Sequence, residues 1–153
     1  MEGPARAKLC RMVARFLAFF LLFLATCTAN AQDLGLGDGD RAAIRDVIGR
    51  QVEAFRRDDG DAAFSLASPD VQRLFGTSET FMTMVRNGYR PVYRPRVFEF
   101  GDIVEFNGQL AQKVRVVGPD GRRVTAIYPM VRLPDGSWRI DGCFLQAPEE
   151  HQV

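Results

Sequence analysis

The sequence predicts an α+β domain in which helices cover one face of an antiparallel sheet, and three observations predict it. Residues 109–145 contain two turns of one kind, Pro119-Asp120-Gly121 and Pro134-Asp135-Gly136. In each, Pro presets φ, Asp bonds its own backbone and Gly takes the positive φ. Around these turns the residues alternate in polarity: Leu110, Val114 and Val116 oppose Lys113 and Arg115, and Trp138, Ile140 and Phe144 oppose Arg139 and Asp141. Upstream the apolar residues recur at helical spacing instead, so helices come first and a meander follows. A sheet with one buried face needs cover, and the helices supply it.

The chain opens with Arg6, Lys8, Arg11 and Arg15 ahead of an apolar run over residues 16–25, and Ala29-Asn30-Ala31 then offers a small-x-small cleavage site. Residues 1–31 are read as a signal peptide, which makes the protein exported and periplasmic. Two alternatives stand beside this: an uncleaved membrane anchor, for which the run falls short of the ~20 residues a span needs, and a lipoprotein modified at Cys27, where Thr26 precedes the cysteine instead of Gly, Ala or Ser. Cleavage after Ala31 leaves 122 of the 153 residues, one domain's worth. No stable membrane span is expected after cleavage. Removing the leader takes the 20 basic and 19 acidic side chains to 16 and 18, a net charge of −2. The remaining arginines are interspersed with carboxylates, so no basic face for nucleic acid is expected. Of three cysteines only Cys143 lies beyond the leader, which excludes an intramolecular disulfide and leaves a thiol that is buried or paired between chains, burial being favoured at a strand position.

Residues 32–39 read as a flexible tether, 40–147 as the single domain and 148–153 as a tail. Asp40 caps a first helix in which Ile44, Val47, Ile48, Val52 and Phe55 form one apolar stripe, ending at Asp59-Gly60. Asp61 caps a second, short helix through Ala62, Ala63, Phe64, Leu66 and Ala67. Ser68-Pro69 stops it and starts a segment of at most two turns over 70–75. Thr77 or Ser78 begins a third helix carrying Phe81, Met84 and Val85, with Asn87-Gly88 as its left-handed stop. In residues 89–96, Pro91 and Pro95 argue for an extended segment or edge strand bearing Tyr89, Tyr93, Arg90, Arg94 and Arg96. Residues 98–106 form the first strand, Asn107-Gly108 a hairpin turn, and Pro129 in a later strand argues for an edge or a bulge there.

With these residues in place, Ala54-Phe55-Arg56-x-Asp58-Asp59, Ala62-x-Phe64, Ala67-Ser68-Pro69 and the closing Asp135-Gly136-Ser137-Trp138-Arg139-Ile140 resemble the nuclear-transport-factor-2-like superfamily. That resemblance implies a long helix and two short ones covering a strongly curved antiparallel sheet of four or more strands, in a cone. The run from Phe81-Met82-x-Met84-Val85-Arg86-x-Gly88-Tyr89 to Pro91-Val92-Tyr93-Arg94-Pro95, with Asp141-Gly142-Cys143, is similar to an exported bacterial family catalogued as domain of unknown function 4864. The likeness covers residues 41–145 and implies a fold and a compartment, with no activity to import.

One tail histidine, His151, and one cysteine cannot assemble the usual metal ligand sets or a nucleophilic triad, so neither metal nor cofactor is expected. Proton chemistry would fall to Asp141, Asp102, Glu99 or Tyr128 if they face the cone interior, as polar residues do in the catalytic members of the resembled superfamily. The strand parity of Asp141 points it away from the Trp138 face. Surface or ion-paired roles are the plainer reading of all four. Tyr89, Tyr93, Arg94 and Arg96 would suit an anionic or aromatic ligand or a partner chain; against this stands a structural edge whose arginines pair with Glu99, Asp102 or Glu105. Phe55, Phe81, Met84 and Trp138 are expected to line the cavity. The reading that results is a noncatalytic module binding a small hydrophobic or anionic ligand or a protein. The alternatives are a cofactor-free isomerase, lyase or hydrolase on a small hydrophobic substrate, and a structural homodimer.

Overall fold

A computed structural model describes residues 35–148. The expected leader with Cys27, and all but the first residue of the expected tail with its His151, lie outside the described residues. Among those described no helix is long and apolar enough to cross a membrane.

The apolar stripe of the sequence becomes α1, Asp38–Arg56, with Ile44, Val47, Ile48, Val52 and Phe55 all buried. It starts three residues earlier than expected, inside the supposed tether: Gly37 is the extended N-cap and Asp38 and Asp40 sit in the first turn, where negative charge suits the helix dipole. Asp40 instead accepts a hydrogen bond from the Trp138 indole at 3.1 Å. At the far end Asp58 takes a left-handed φ of 56°, which Asp tolerates better than most residues, and the Asp59 N–H returns to the Ala54 carbonyl at 2.9 Å. Asp59, not Asp61, then caps α2, Gly60–Ser65, by accepting from Ala62 N. α3, Pro69–Phe75, has Ser68 as cap and Pro in its first turn, and α4, Ser78–Gly88, is capped by Thr77.

Two sequence expectations fail here. Asn87-Gly88 is no left-handed stop, since neither has a positive φ and α4 runs through both. Residues 89–96 are not extended either: Arg90–Tyr93 form the single turn α5. Pro91 lies in its first turn, where the missing N–H would have had no helical partner anyway. Among the described residues five helices, not one long and two short, therefore precede the sheet.

The sheet is antiparallel and open, ordered β1 (Val97–Phe106), β2 (Gln109–Val117), β3 (Arg123–Arg132), with β4 (Trp138–Ile140) and β5 (Phe144–Gln146) sharing the outer edge of β3. The expected turns form: Asn107 and Gly108 have φ of 52° and 77°, Gly121 and Gly136 of 81° and 85°, while Asp120 and Asp135 each accept the N–H two residues on. Between Phe100↔Val114 and Ile103↔Gln112 β1 gains one residue, a bulge. The fully buried Gln112 amide donates to the carbonyls of Gly101 and Lys113 at 2.8 and 2.7 Å, which satisfies groups the ladder cannot reach.

The closing strand expected over Trp138, Ile140 and Phe144 is split in two, and Pro129 explains where. Its carbonyl faces the outer edge, accepting from Asp141 N at 2.8 Å, but proline has no N–H to return on that side. β4 therefore ends at Ile140, and Asp141-Gly142-Cys143 leaves the ladder with Gly142 at φ 156°. β5 resumes on the opposite parity, so Phe144 is 48 % exposed, with its ring 5.2 Å from Phe106, instead of joining Trp138 in the core. The free edge of β4 is covered by the α2–α3 connection, through Ser68 N to Ile140 O and Ile140 N to Leu66 O.

Helices and sheet meet in a core that includes Ile44, Ile48, Val85 and Val92 against Val114, Val116, Ala126 and Tyr128. Each fully buried aliphatic side chain contributes about 1.5–3 kcal/mol.

Candidate functional site: an apolar cavity at the split edge

Where β4 and β5 part, a cavity of about 370 Å³ opens between sheet and helices, with Phe55, Phe81, Met84, Tyr89, Tyr128 and Cys143 in its wall. Phe81 is the centre of the aromatic part: its ring lies 6.1 Å from Phe55, 5.4 Å from Phe64 and 5.5 Å from Phe75. Two exposed apolar side chains, Leu74 at 77 % and Phe144 at 48 % exposure, stand among the wall residues. A wider groove of about 540 Å³ runs along α1. Its side chains are solvated charges such as Arg50 and Asp46, paired with each other at 2.9 Å, and it offers no enclosed surface for a ligand.

The polar groups of the cavity between sheet and helices are few. Asp141 lies in the wall, not pointing away from it, because the strand that set its parity has already ended. Its carboxylate accepts from Ser68 Oγ at 2.5 Å and Gln109 Nε2 at 2.8 Å, tying the α2–α3 connection to the start of β2. Gln51 Nε2 donates to the Ala63 carbonyl at 3.1 Å. Tyr128 is 1 % exposed; its hydroxyl has no nitrogen or oxygen partner among the described residues and lies beside the Cys143 thiol. Burial pushes the Tyr128 phenol well above its ordinary range, with Cys143 adding to the shift, and raises Tyr89 as well. Cys143 is half-buried as a residue, yet its thiol is enclosed, and burial pushes it up to about 12 against a smaller opposite pull from Tyr128. At neutral pH both groups are therefore protonated.

The remaining residues singled out in the sequence go elsewhere. Trp138 is buried beneath α1 and is not part of the wall. Asp102 is exposed on the bulge, and Glu99 is exposed and paired with Arg115 at 3.1 Å. Tyr93 and Arg94 close the C-terminal end of α1: Arg94 donates to the Phe55 carbonyl at 2.6 Å and to Asp58 at 2.7 Å, stacks 4.3 Å from the Tyr93 ring centre, and the Tyr93 hydroxyl donates to Asp58. That phenol, then Arg94 and Arg86, hold the Asp58 carboxyl below its usual range. Arg94 thus pairs with Asp58 and not with Glu99, Asp102 or Glu105. Arg96 is exposed, its backbone N–H opening the ladder at Val117 O.

Arg94→Ala should cost about 1–2 kcal/mol in urea unfolding, since it strips a charge-assisted bond from a helix-terminal carbonyl but sits partly in solvent. Arg94→Lys should recover little, because one ammonium cannot reproduce the planar fork. A midpoint for Arg94→Ala within error of wild type would show that α1 ends without this lock.

Ser68, Gln109 and Gln51 went unremarked as site residues in the sequence. Gln51 had a signal: it falls on the apolar stripe between Ile48 and Phe55, where a polar side chain is out of place unless bonded. Gln109 had none. Among the described residues no group of three or more His, Cys, Asp or Glu side chains gathers as a metal site would require.

No curated protein and no solved structure matches the chain. The family described as domain of unknown function DUF4864 matches residues 38–153, every described helix and strand included, and the chain belongs to that family.

Proposed function

We propose that this domain is a noncatalytic module that encloses a small hydrophobic molecule between its helices and its sheet. The cavity carries this reading: about 370 Å³ lined mainly by Phe, Met, Val and Ile side chains, within the size range of small-molecule sites. The chemistry of its polar groups supports binding over turnover. A cofactor-free isomerase or lyase needs a free carboxylate or an acidified phenol within reach of the substrate. Here both Asp141 oxygens accept hydrogen bonds, and Tyr128 and Cys143 are shifted toward their neutral forms.

In this reading the domain is a nuclear-transport-factor-2-like cone, supported by the order of long helix, short helices and antiparallel sheet and by the bulge that bends β1. It works outside the cytoplasm, supported by the basic start, apolar run and Ala29-Asn30-Ala31 site of residues 1–31.

The neutral fluorophore N-phenylnaphthylamine should brighten on binding wild-type protein, and Met84→Trp, which fills the cavity from its wall, should abolish the signal while circular dichroism and melting stay close to wild type. Equal brightening in both would place the dye elsewhere and remove the cavity as a binding site.

A further inference from the structure

The geometry points to an anionic lipid surface as the partner of the corner where α5 meets the β2–β3 turn. Four arginines converge there on Val117-Gly118. Arg96 donates its backbone N–H to the Val117 carbonyl at 2.8 Å, and Arg123 pairs with Val117 across the ladder. The Arg122 carbonyl accepts from Gly118 N at 2.8 Å. Pro91, next to Arg90, packs so closely on Gly118 that a Cβ there would stand 3.3 Å from the Pro91 Cα. All four arginines are exposed, and among the described residues none of them pairs with a carboxylate. Arg50, Arg56 and Arg73, by contrast, pair with Asp46, Glu53 and Asp70 within their own helices.

The carboxylates of the adjoining elements are engaged. Asp58 is held by Tyr93 and Arg94, Glu99 by Arg115, and Asp120 accepts the Arg122 N–H inside its own turn. Along the sequence these arginines alternate with acidic residues, and only the fold gathers them. A guanidinium offers phosphate a planar fork of donors, and the pull of an anionic membrane grows with the number of such residues while demanding little of their shape. A protein partner would call for an aromatic anchor, and a single-stranded nucleic acid for a stacking surface. The aromatic side chains of α5 and its cap are taken: Tyr93 bonds Asp58 with Arg94 stacked on its ring, and Tyr89 lies in the cavity wall. The apolar side chain at this corner is Val97, 39 % exposed and paired with Val117, a shallow contact that suits the headgroup boundary. A second copy bound corner to corner would set the same cations against each other. Docking here is independent of what the cavity holds.

The test is cosedimentation of the full chain with vesicles of phosphatidylcholine, alone or mixed with phosphatidylglycerol. Wild type should partition more strongly onto the mixed vesicles, and added salt should remove the difference. Each arginine within reach of such a surface gives roughly a fivefold gain, so Arg90→Gln with Arg96→Gln, or Arg122→Gln with Arg123→Gln, should lower the preference about 25-fold. Either pair decides if the other does not fold. Arg50→Gln with Arg56→Gln removes the same charge from α1 and should leave the preference unchanged. The basic side chains of residues 1–31 are common to all of these proteins and cancel in the comparison. Equal partitioning of wild type onto both kinds of vesicle, or an equal loss in the α1 variant, would overturn the corner as a docking surface. Displacement from the mixed vesicles by polyglutamate or duplex DNA at equal charge would overturn lipid as its occupant.

Discussion

Phe81→Ala should unfold about 3–5 kcal/mol more readily than wild type, the range measured when a buried aromatic side chain is cut back to a methyl group. The residue is 6 % exposed, and its ring touches those of Phe55, Phe64 and Phe75 at centroid distances of 5.4–6.1 Å, so truncation removes packing between α1, α2, α3 and α4 together. The loss falls at the upper part of the range because a cavity already adjoins the ring and the space vacated merges with it. With domain stabilities of about 5–15 kcal/mol, one substitution would remove a large share of the total. Phe144→Ala provides the contrast, since Phe144 is 48 % exposed and should cost about 1 kcal/mol or less. Urea unfolding of both variants checks the pair. A loss below about 1 kcal/mol for Phe81→Ala would mean that the helices close over the gap, and that the cavity is a soft feature instead of a built one.

How far these features were legible in the sequence depends on the range of the interaction that made each of them. The α+β order, the apolar stripe of α1, the start of α3 at Pro69 and the three glycine turns were legible because each is decided within a few residues, whereas the caps assigned to Asp40 and Asp61 fall to Gly37 and Asp59. The failures were of two sorts. Residues 89–96 were read as extended because Pro91 and Pro95 together were taken to forbid helix, whereas a single turn whose first residues include Pro91 loses no hydrogen bond. Asn87-Gly88 has the composition of a left-handed stop, but α4 runs through both with ordinary φ, and the residue after it, Tyr89, bonds its N–H to Val85 O as α5 begins.

The site was harder to read because it exists only through long-range pairing. Parity assigned Asp141 to the solvent side and Phe144 to the core, and both assignments depended on one unbroken strand. The break comes from Pro129, twelve residues before Asp141 and on the neighbouring strand, so nothing local to residues 141–144 announces it. Tyr128, Phe55, Phe81 and Met84 were recognisable as candidates by type and position, and all four stand in the wall. Trp138 was assigned there on the same grounds and lies under α1 instead, since its indole N–H needs an acceptor and Asp40 provides one. Arg94 carried the chemistry of a ligand site but its guanidinium is spent on Phe55 O and Asp58.

Stability should fall as the pH rises through the window from about 9 to about 12. The thiol of Cys143 has an ordinary value of 9.0 and is pushed up to about 12 in the folded protein by burial. The unfolded chain therefore ionises this group first, and folding binds one proton more than the unfolded state does. The contribution is fully present below about 9, declines as the thiol of the unfolded chain ionises, and is gone once pH passes the folded value. A shift of this size corresponds at most to about 4 kcal/mol. Tyr128, raised well above its ordinary 10.0 by the same burial, acts in the same direction, because a phenolate in an apolar wall without a counter-charge is as unfavourable as a thiolate there. Unfolding free energies measured in urea across that window should drop more steeply for wild type than for Cys143→Ala, and least for Cys143→Ala combined with Tyr128→Phe. The side chains that titrate at the surface contribute equally to all three proteins and cancel in the comparison. Parallel curves for wild type and Cys143→Ala would show that the thiol meets solvent in the folded state. A cysteine so exposed would also be alkylated by iodoacetamide at the rate of the unfolded chain, whereas the enclosed thiol should react far more slowly until the domain opens.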